Sequence, residues 1–199
     1  HQHSSHATEA AAIISAMTHN GIDRKGVLIT NTTDECMVPS FHRLLTEKTT
    51  TLRPGTRIGV SDVEVQAVKA SHYGTDSIGL LIRTPEYILG YTSDTAYTDE
   101  IADQFKKANI LIINCKFPQG VREGDHLNVD DCIKLLSRVK PQLAIITHFG
   151  AKMLSMDPIA QARIIQHATK VQVVAAKDGL HIAPAAYDAK NKQQTLKGF

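Results

Sequence analysis

The chain has 199 residues, 42% of them hydrophobic and 21% charged, which is material for one domain with an ordinary core and excludes a wholly disordered chain. Twenty-two lysines and arginines against twenty aspartates and glutamates leave a formal charge of +2, too little to make nucleic acid or an acidic membrane the default partner. No run approaches the roughly 20 apolar residues of a membrane span and no charged start with a short apolar stretch reads as a secretory leader, so a cytoplasmic location is expected. The cysteines, Cys36, Cys115 and Cys132, are odd in number and lack metal-knuckle spacing, so reduced thiols are expected.

In chain order, Ala10, Ile13, Ile14 and Met17 recur at helical spacing and predict a helix over 7–18, stopped by Asn20 and Gly21. A short apolar run predicts a strand at 27–30, covered on both faces. Residues 31–57 are rich in threonine, with Pro39, Pro54 and Gly55, and read as a long loop holding a short helix near 42–45. Over 62–70, Val63, Val65 and Ala67 alternate with polar residues, the pattern of a strand with one wet face. Strands at 78–83 and 87–91 flank Thr84-Pro85-Glu86 and read as a hairpin. Ile101, Phe105 and Ala108 mark a short helix.

Covered strands are expected at 110–114, 143–147 and 171–175. Between them lie a helix over 129–139, with Asn128 as its N-cap, and another that Asp157-Pro158 opens and that runs to about 168. Helices alternating with covered strands imply a layered α/β domain over 1–183, followed by a polar, aperiodic extension over 184–199.

Ten histidines are the compositional anomaly. His1, His3 and His6 form His-x-His-x-x-His just before the first predicted helix; a histidine-rich leader or tag would read the same way. On an extended segment, imidazoles two apart point to one side, and the third can join them as the helix starts. His72, Asp94 and His148 each fall just past the end of a predicted strand. Singly, each has an ordinary explanation as a hydrogen-bonding loop residue. Jointly, they occupy the place where a sheet delivers side chains to a shared rim, and His with Asp is a metal-ligand chemistry.

In this order, His-Gln-His-Ser-Ser-His at 1–6, Ser-His-Tyr-Gly-Thr-Asp at 71–76, Ser-Asp-Thr at 93–95 and Thr-His-Phe-Gly at 147–150 resemble the metallo-β-lactamase superfamily of metal-dependent hydrolases. The resemblance implies an αββα sandwich with metals at one edge. It implies His1, His3 and His72 as ligands of one ion, His6 and His148 as ligands of a second, and Asp94 as a catalytic carboxylate bridging both. His126, in Gly-Asp-His-Leu-Asn, resembles the histidine that ribonuclease Z-like and phosphodiesterase branches place beside the metals to steady the scissile phosphate or protonate the leaving group. Asp76 and Asp125 are expected to orient ligand histidines from behind. His19, His42, His167 and His181 have no such context.

Two departures accompany the resemblance. Ser5 stands where the family pattern carries an aspartate that ligates the second metal, which weakens that site. Family members also carry strands before the first histidine motif, so the chain is expected to be a fragment lacking N-terminal strands, its bared sheet face covered by a missing segment or a second copy.

The expected chemistry is hydrolysis by metal-activated water, with one or two zinc ions, manganese or iron being compatible. The expected substrate is a small molecule or short phosphodiester; nucleic acid is possible, but no basic stripe with aromatics marks it. A carbon ester, lactone or thioester, or a non-catalytic metal-binding scaffold motivated by Ser5, are the alternatives.

Overall fold

A computed structural model describes residues 1–31 and 38–187. Its first elements are two short helices, α1 (Ser4–Ala7) and α2 (Ala10–Met17), rather than one helix over 7–18. The break follows from Thr8, whose Oγ1 donates to the Ser4 carbonyl at 2.6 Å and closes the first turn on itself. Of the expected apolar stripe only Ile14 is buried, while Ile13 is 64% exposed.

Strand β1 (Val27–Thr30) also departs from expectation. It pairs in parallel with β2 (Lys48–Thr51) in a separate two-stranded sheet, so its residues alternate between exposed and half-buried instead of being covered on both faces. Between them lies α3 (Ser40–Leu44). The segment read as a long loop with a short helix carries that helix, at Ser40–Leu44, and in addition a strand, the β-branched Thr49, Thr50 and Thr51 favouring the extended form. Cys36 lies outside the described residues.

The main sheet follows: β3 (Arg57–Val60), β4 (Val63–Lys69), β5 (Ile78–Arg83), β6 (Ile88–Tyr91), then helix α4 (Asp99–Gln104) and β7 (Ile110–Phe117). A two-residue strand β8 (Leu127–Asn128) leads into α5 (Val129–Val139), and β9 (Leu143–Thr147), α6 (Ala151–Ser155), α7 (Pro158–Thr169) and β10 (Gln172–Ala175) complete it. A 3-10 turn at Pro184–Tyr187 occupies the start of the expected extension, and residues 188–199 lie outside the described residues.

Strand order is β10-β9-β7-β6-β5-β4-β3, with β8 paired to the end of β7. β10, β9, β7 and β6 run parallel, while β5 is antiparallel to both β6 and β4. Two reversals restore direction, so β4, β6, β7 and β9 all point their C-terminal ends at one edge. That edge holds the site.

One face of the main sheet is closed by helices. Ile101, Phe105, Leu135, Leu136, Val139, Met153 and Ile165 pack on Leu111, Ile113, Cys115, Ala144 and Ile146, all buried. The helices form where the patterning predicts. α5 buries Val129, Cys132, Leu135, Leu136 and Val139, spaced at three and four residues, and α7 starts at Asp157, which accepts from the Ile159 amide at 2.9 Å. Gly90 is required at the centre of this face, because a Cβ there would meet Leu111 Cδ1 at 2.6 Å and Phe105 Cδ1 at 2.9 Å.

The opposite face, with Val65, Ile78, Leu80 and Tyr91, looks toward Leu28 and Ile29 of the small sheet and Leu52 just beyond it, across a cavity of about 440 Å³ that ends at His1 and His6. The layers are helices, large sheet, small sheet and short helices, a mixed α/β sandwich. Among the described residues no helix is long and apolar enough to cross a membrane.

Asn128 joins the site loop to the core. Its Oδ1 accepts from the Asp131 amide at 2.9 Å and its Nδ2 donates to the Val121 carbonyl at 2.8 Å. Asn128→Ala is expected to lower unfolding free energy by about 1–2 kcal/mol, measured by denaturant titration, because a cap and a buried carbonyl partner go together.

Candidate metal centre

The shared edge collects six side chains from four stretches of chain. His1 and His3 precede α1, His6 lies within it, His72 follows β4, Asp94 follows β6 and His148 follows β9. Two of these turns carry backbone in the left-handed region, Ser93 at φ +56° and His148 at φ +63°. Non-glycine residues adopt it at a cost, and it aims Asp94 and His148 inward.

Asp94 is the hub and is buried. Its Oδ1 accepts from Asn114 Nδ2 at 2.7 Å, which turns Oδ2 to the histidines. Around Oδ2 lie His6 Nε2 at 3.2 Å, His148 Nε2 at 3.4 Å, His1 Nε2 at 3.6 Å and His72 Nε2 at 3.9 Å. His6 Nε2 and His148 Nε2 are 3.2 Å apart, and so are His3 Nδ1 and His72 Nε2. The loops are tied to each other: the Ser71 amide donates to Thr95 Oγ1 at 2.9 Å, and the Ala96 amide to the Ser71 carbonyl at 2.7 Å. Ser77 Oγ donates to the Asp94 carbonyl at 3.0 Å.

These donors fit a pair of divalent cations. Donors at the corners of a tetrahedron around zinc-like metal–nitrogen bonds are separated by about 3.3–3.4 Å, and the His6, His148 and Asp94 triangle has edges of 3.2, 3.4 and 3.2 Å. His1 Nε2 is buried and without a hydrogen-bond partner, the state of a donor waiting for a cation. Ser5 is exposed, and the second group draws its donors from His6, His148 and Asp94, with His126 beside them.

Burial opposes ionisation of Asp94, but the Asn114 amide and the charges of His148, His6 and His126 outweigh it and hold the carboxyl below the usual carboxylate range. Burial first, then His148, lowers the His6 imidazole against the pull of Asp94. Neutral imidazole beside carboxylate is the protonation state that metal ligation needs.

His126 joins the same cluster. Its Nδ1 is buried and lies 3.7 Å from Asp94 Oδ2, and its ring stacks at 5.8 Å on His148 and edge-on at 4.8 Å on His72. Its other nitrogen, Nε2, is 3.0 Å from Lys116 Nζ. An ammonium has only donors, so Nε2 accepts and the proton resides on Nδ1, facing the centre. Burial first, then the Lys116 ammonium, pushes this imidazole down to about 4, so it is neutral near pH 7.

Asp125 Oδ2 lies 3.2 Å from Nδ1 of His72 and also receives the Tyr73 amide. Asp76, expected to play the same part, is exposed and makes no side-chain contact with the cluster among the described residues; its carbonyl is taken by the Asn31 side chain. His19, His167 and His181 are exposed, and His42 packs on Phe41, all apart from the cluster. Cys115 and Cys132 are both buried, and their mutual contact together with burial pushes the Cys132 thiol up.

Two members escaped the sequence reading, Asn114 and Lys116. The available signal was a pair of polar residues two apart, hence on one face, in an otherwise apolar strand.

A layered α/β fold with imidazoles and one carboxylate gathered at a strand-end rim defines a divalent-metal protein of the metallo-β-lactamase fold. The chain belongs to the family described as the beta-lactamase superfamily domain, whose model matches residues 2–149. It is 29% identical over 206 residues to the uncharacterized protein MJ1374 of Methanocaldococcus jannaschii, covering 99% of this chain and 76% of that one. Among solved structures it is similar to the metallo-beta-lactamase fold protein YhfI from Bacillus subtilis, with TM-score 0.77 and 16% identity over 90% of this chain and 73% of that chain. It is also similar to a diphosphatase from the PhnP family, with TM-score 0.58 and 13% identity over 83% of this chain and 61% of that chain.

Two outcomes are expected. Stripped of metal, the protein should lose stability as pH falls from about 7 toward 4. His126, at about 4 when folded against 6.5 in the free side chain, is protonated first in the unfolded chain, so acid favours unfolding; thermal midpoints across pH measure this. Ser5→Asp should raise affinity for the second cation by roughly 10–100-fold, read by competition with a chelating dye.

Proposed function

We propose that the protein is a metal-dependent hydrolase acting on a phosphodiester or related phosphate ester. One observation carries the phosphate reading: the buried, unpartnered Nδ1–H of His126, aimed at the Asp94 cluster. A buried N–H without an acceptor costs free energy, and a phosphoryl oxygen held at the centre supplies that acceptor.

In the division that the family resemblance implies, His1, His3 and His72 would hold one ion and His6 and His148 the other, with Asp94 serving both; the side chains lie close enough together for this. The imidazole-rich set with one carboxylate suits zinc, with manganese or iron compatible. When bound, the cations supply an activated water and polarise the oxygens of the substrate. Asn114 keeps Asp94 Oδ2 turned inward, and Asp125 steadies the His72 ring from behind. Because the Lys116 contact leaves the proton on Nδ1, His126 acts as a hydrogen-bond donor to a phosphoryl oxygen, a role that needs no proton release.

The test is hydrolysis of bis(p-nitrophenyl) phosphate against p-nitrophenyl acetate and a simple lactone, using protein loaded with zinc or manganese. The expected result is turnover of the phosphodiester, with His126→Ala lowering kcat by about 10²–10³-fold at unchanged metal content. Turnover of the acetate or lactone alone would overturn the phosphate assignment.

A further inference from the structure

Lys116 touches the cluster through His126. It stands on β7 two residues beyond Asn114, on the same strand face and at the end nearest the rim. Its main chain is fixed: the Gly150 amide donates to the Lys116 carbonyl at 3.0 Å. A Cβ on Gly150 would meet that carbonyl oxygen at 3.0 Å and Lys116 Cγ at 3.2 Å, so the turn after His148 holds the lysine stem against its glycine. The ammonium then reaches His126 Nε2 at 3.0 Å and lies 5.7 Å from the centre of the Phe117 ring.

Among the described residues no carboxylate pairs with it. The other lysines and arginines near carboxylates behave differently: Lys152 pairs with Glu123, Arg122 and Lys134 with Asp131, and Arg138 with Asp99 and Asp103. Asp125, which is close in sequence to His126, is engaged by His72 and the Tyr73 amide. A half-buried ammonium with a neutral imidazole and an aromatic face as its contacts retains two donors for an incoming acceptor.

We infer that Lys116 forms an anion subsite beside the metal centre, selecting substrates that carry a second negatively charged group outside the one held at the Asp94 cluster. The His126 ring separates the ammonium from Asp94, since Nδ1 faces Oδ2 while Nε2 faces Nζ. One imidazole therefore contacts both groups of the substrate, through Nδ1 at the scissile centre and through the lysine it anchors at the second anion. The inference rests on the hydrolase reading for what is cleaved, but its binding component stands apart from turnover. The ligand chemistry is a phosphate or phosphonate bearing a carboxylate or a further phosphate a few bonds away.

The experiment compares methylphosphonate with phosphonoacetate, which differ by one carboxylate, by calorimetric titration into metal-loaded wild type, Lys116→Met and Lys116→Arg. Wild type is expected to prefer phosphonoacetate by about tenfold, Lys116→Met to bind the two equally, and Lys116→Arg to keep most of the preference. Metal content and thermal midpoint of each variant are measured alongside, and a preference retained in Lys116→Arg but lost in Lys116→Met separates recognition from loss of fold. Equal binding by wild type, failure of both phosphonates to bind, or a preference unchanged in Lys116→Met would overturn the subsite. A Lys116-dependent preference in a protein that cleaves no phosphodiester would leave the subsite standing and remove the phosphodiesterase reading instead.

Discussion

The site depends on the fixed orientation of one buried carboxylate. Asp94 is only 2% exposed, and a buried charge survives only if its partners are close and its lone pairs are used. Asn114 takes one oxygen, and the histidines surround the other. The β6-to-α4 turn is held by hydrogen bonds from Ser77, and Thr95 in turn receives the Ser71 amide, so the Asp94 and His72 loops move as one body. Where several imidazole lone pairs and a carboxylate converge at little more than 3 Å, mutual repulsion is relieved by a cation between them.

The sheet makes that convergence affordable. Ligands come from both ends of the sequence, yet the parallel run β6-β7-β9 and the doubly reversed β4 deliver their C-terminal ends to a single rim. The helix-covered face is closely packed, with Leu111, Ile113, Ala144 and Ile146 fully buried, and it anchors β7 and β9. The opposite face is more loosely covered, because the small sheet has two strands among the described residues. The buried helix side is the support on which the ligand turns are built.

His126 and Lys116 give the centre a direction. The carboxylate and five histidines are a metal chemistry common to hydrolases of many substrates, and the fold relatives do not narrow it at 13–16% identity. A hydrogen-bond donor facing inward and an ammonium facing outward, joined through one ring, make one side of the site suited to negative charge. Ser5, exposed where the family motif carries a carboxylate, leaves the same neighbourhood with one negative charge fewer.

Much of this was legible in the residues themselves. The helix over 129–139, the covered strands β7 and β9 and the hairpin follow from patterning that burial rewards locally and stand where expected, whereas the strand expected to be covered at 171–175 is the edge strand β10, with Gln172 exposed. The spacing of His1, His3 and His6, with His72, Asp94 and His148 each after a strand, pointed to one shared cluster, and the structure brings these side chains together. Tertiary structure alone decided the rest. The helix over 7–18 divides because Thr8 caps the first turn, and β1 is half-exposed because it joins a two-stranded sheet; neither depends on periodicity. Asp125 and Asp76 look alike in sequence, and only the packing of loops sets one carboxylate against His72 and leaves the other in solvent. Asn114 and Lys116 acquire meaning from what faces them across 20 and 10 residues of chain, a relation fixed by strand register.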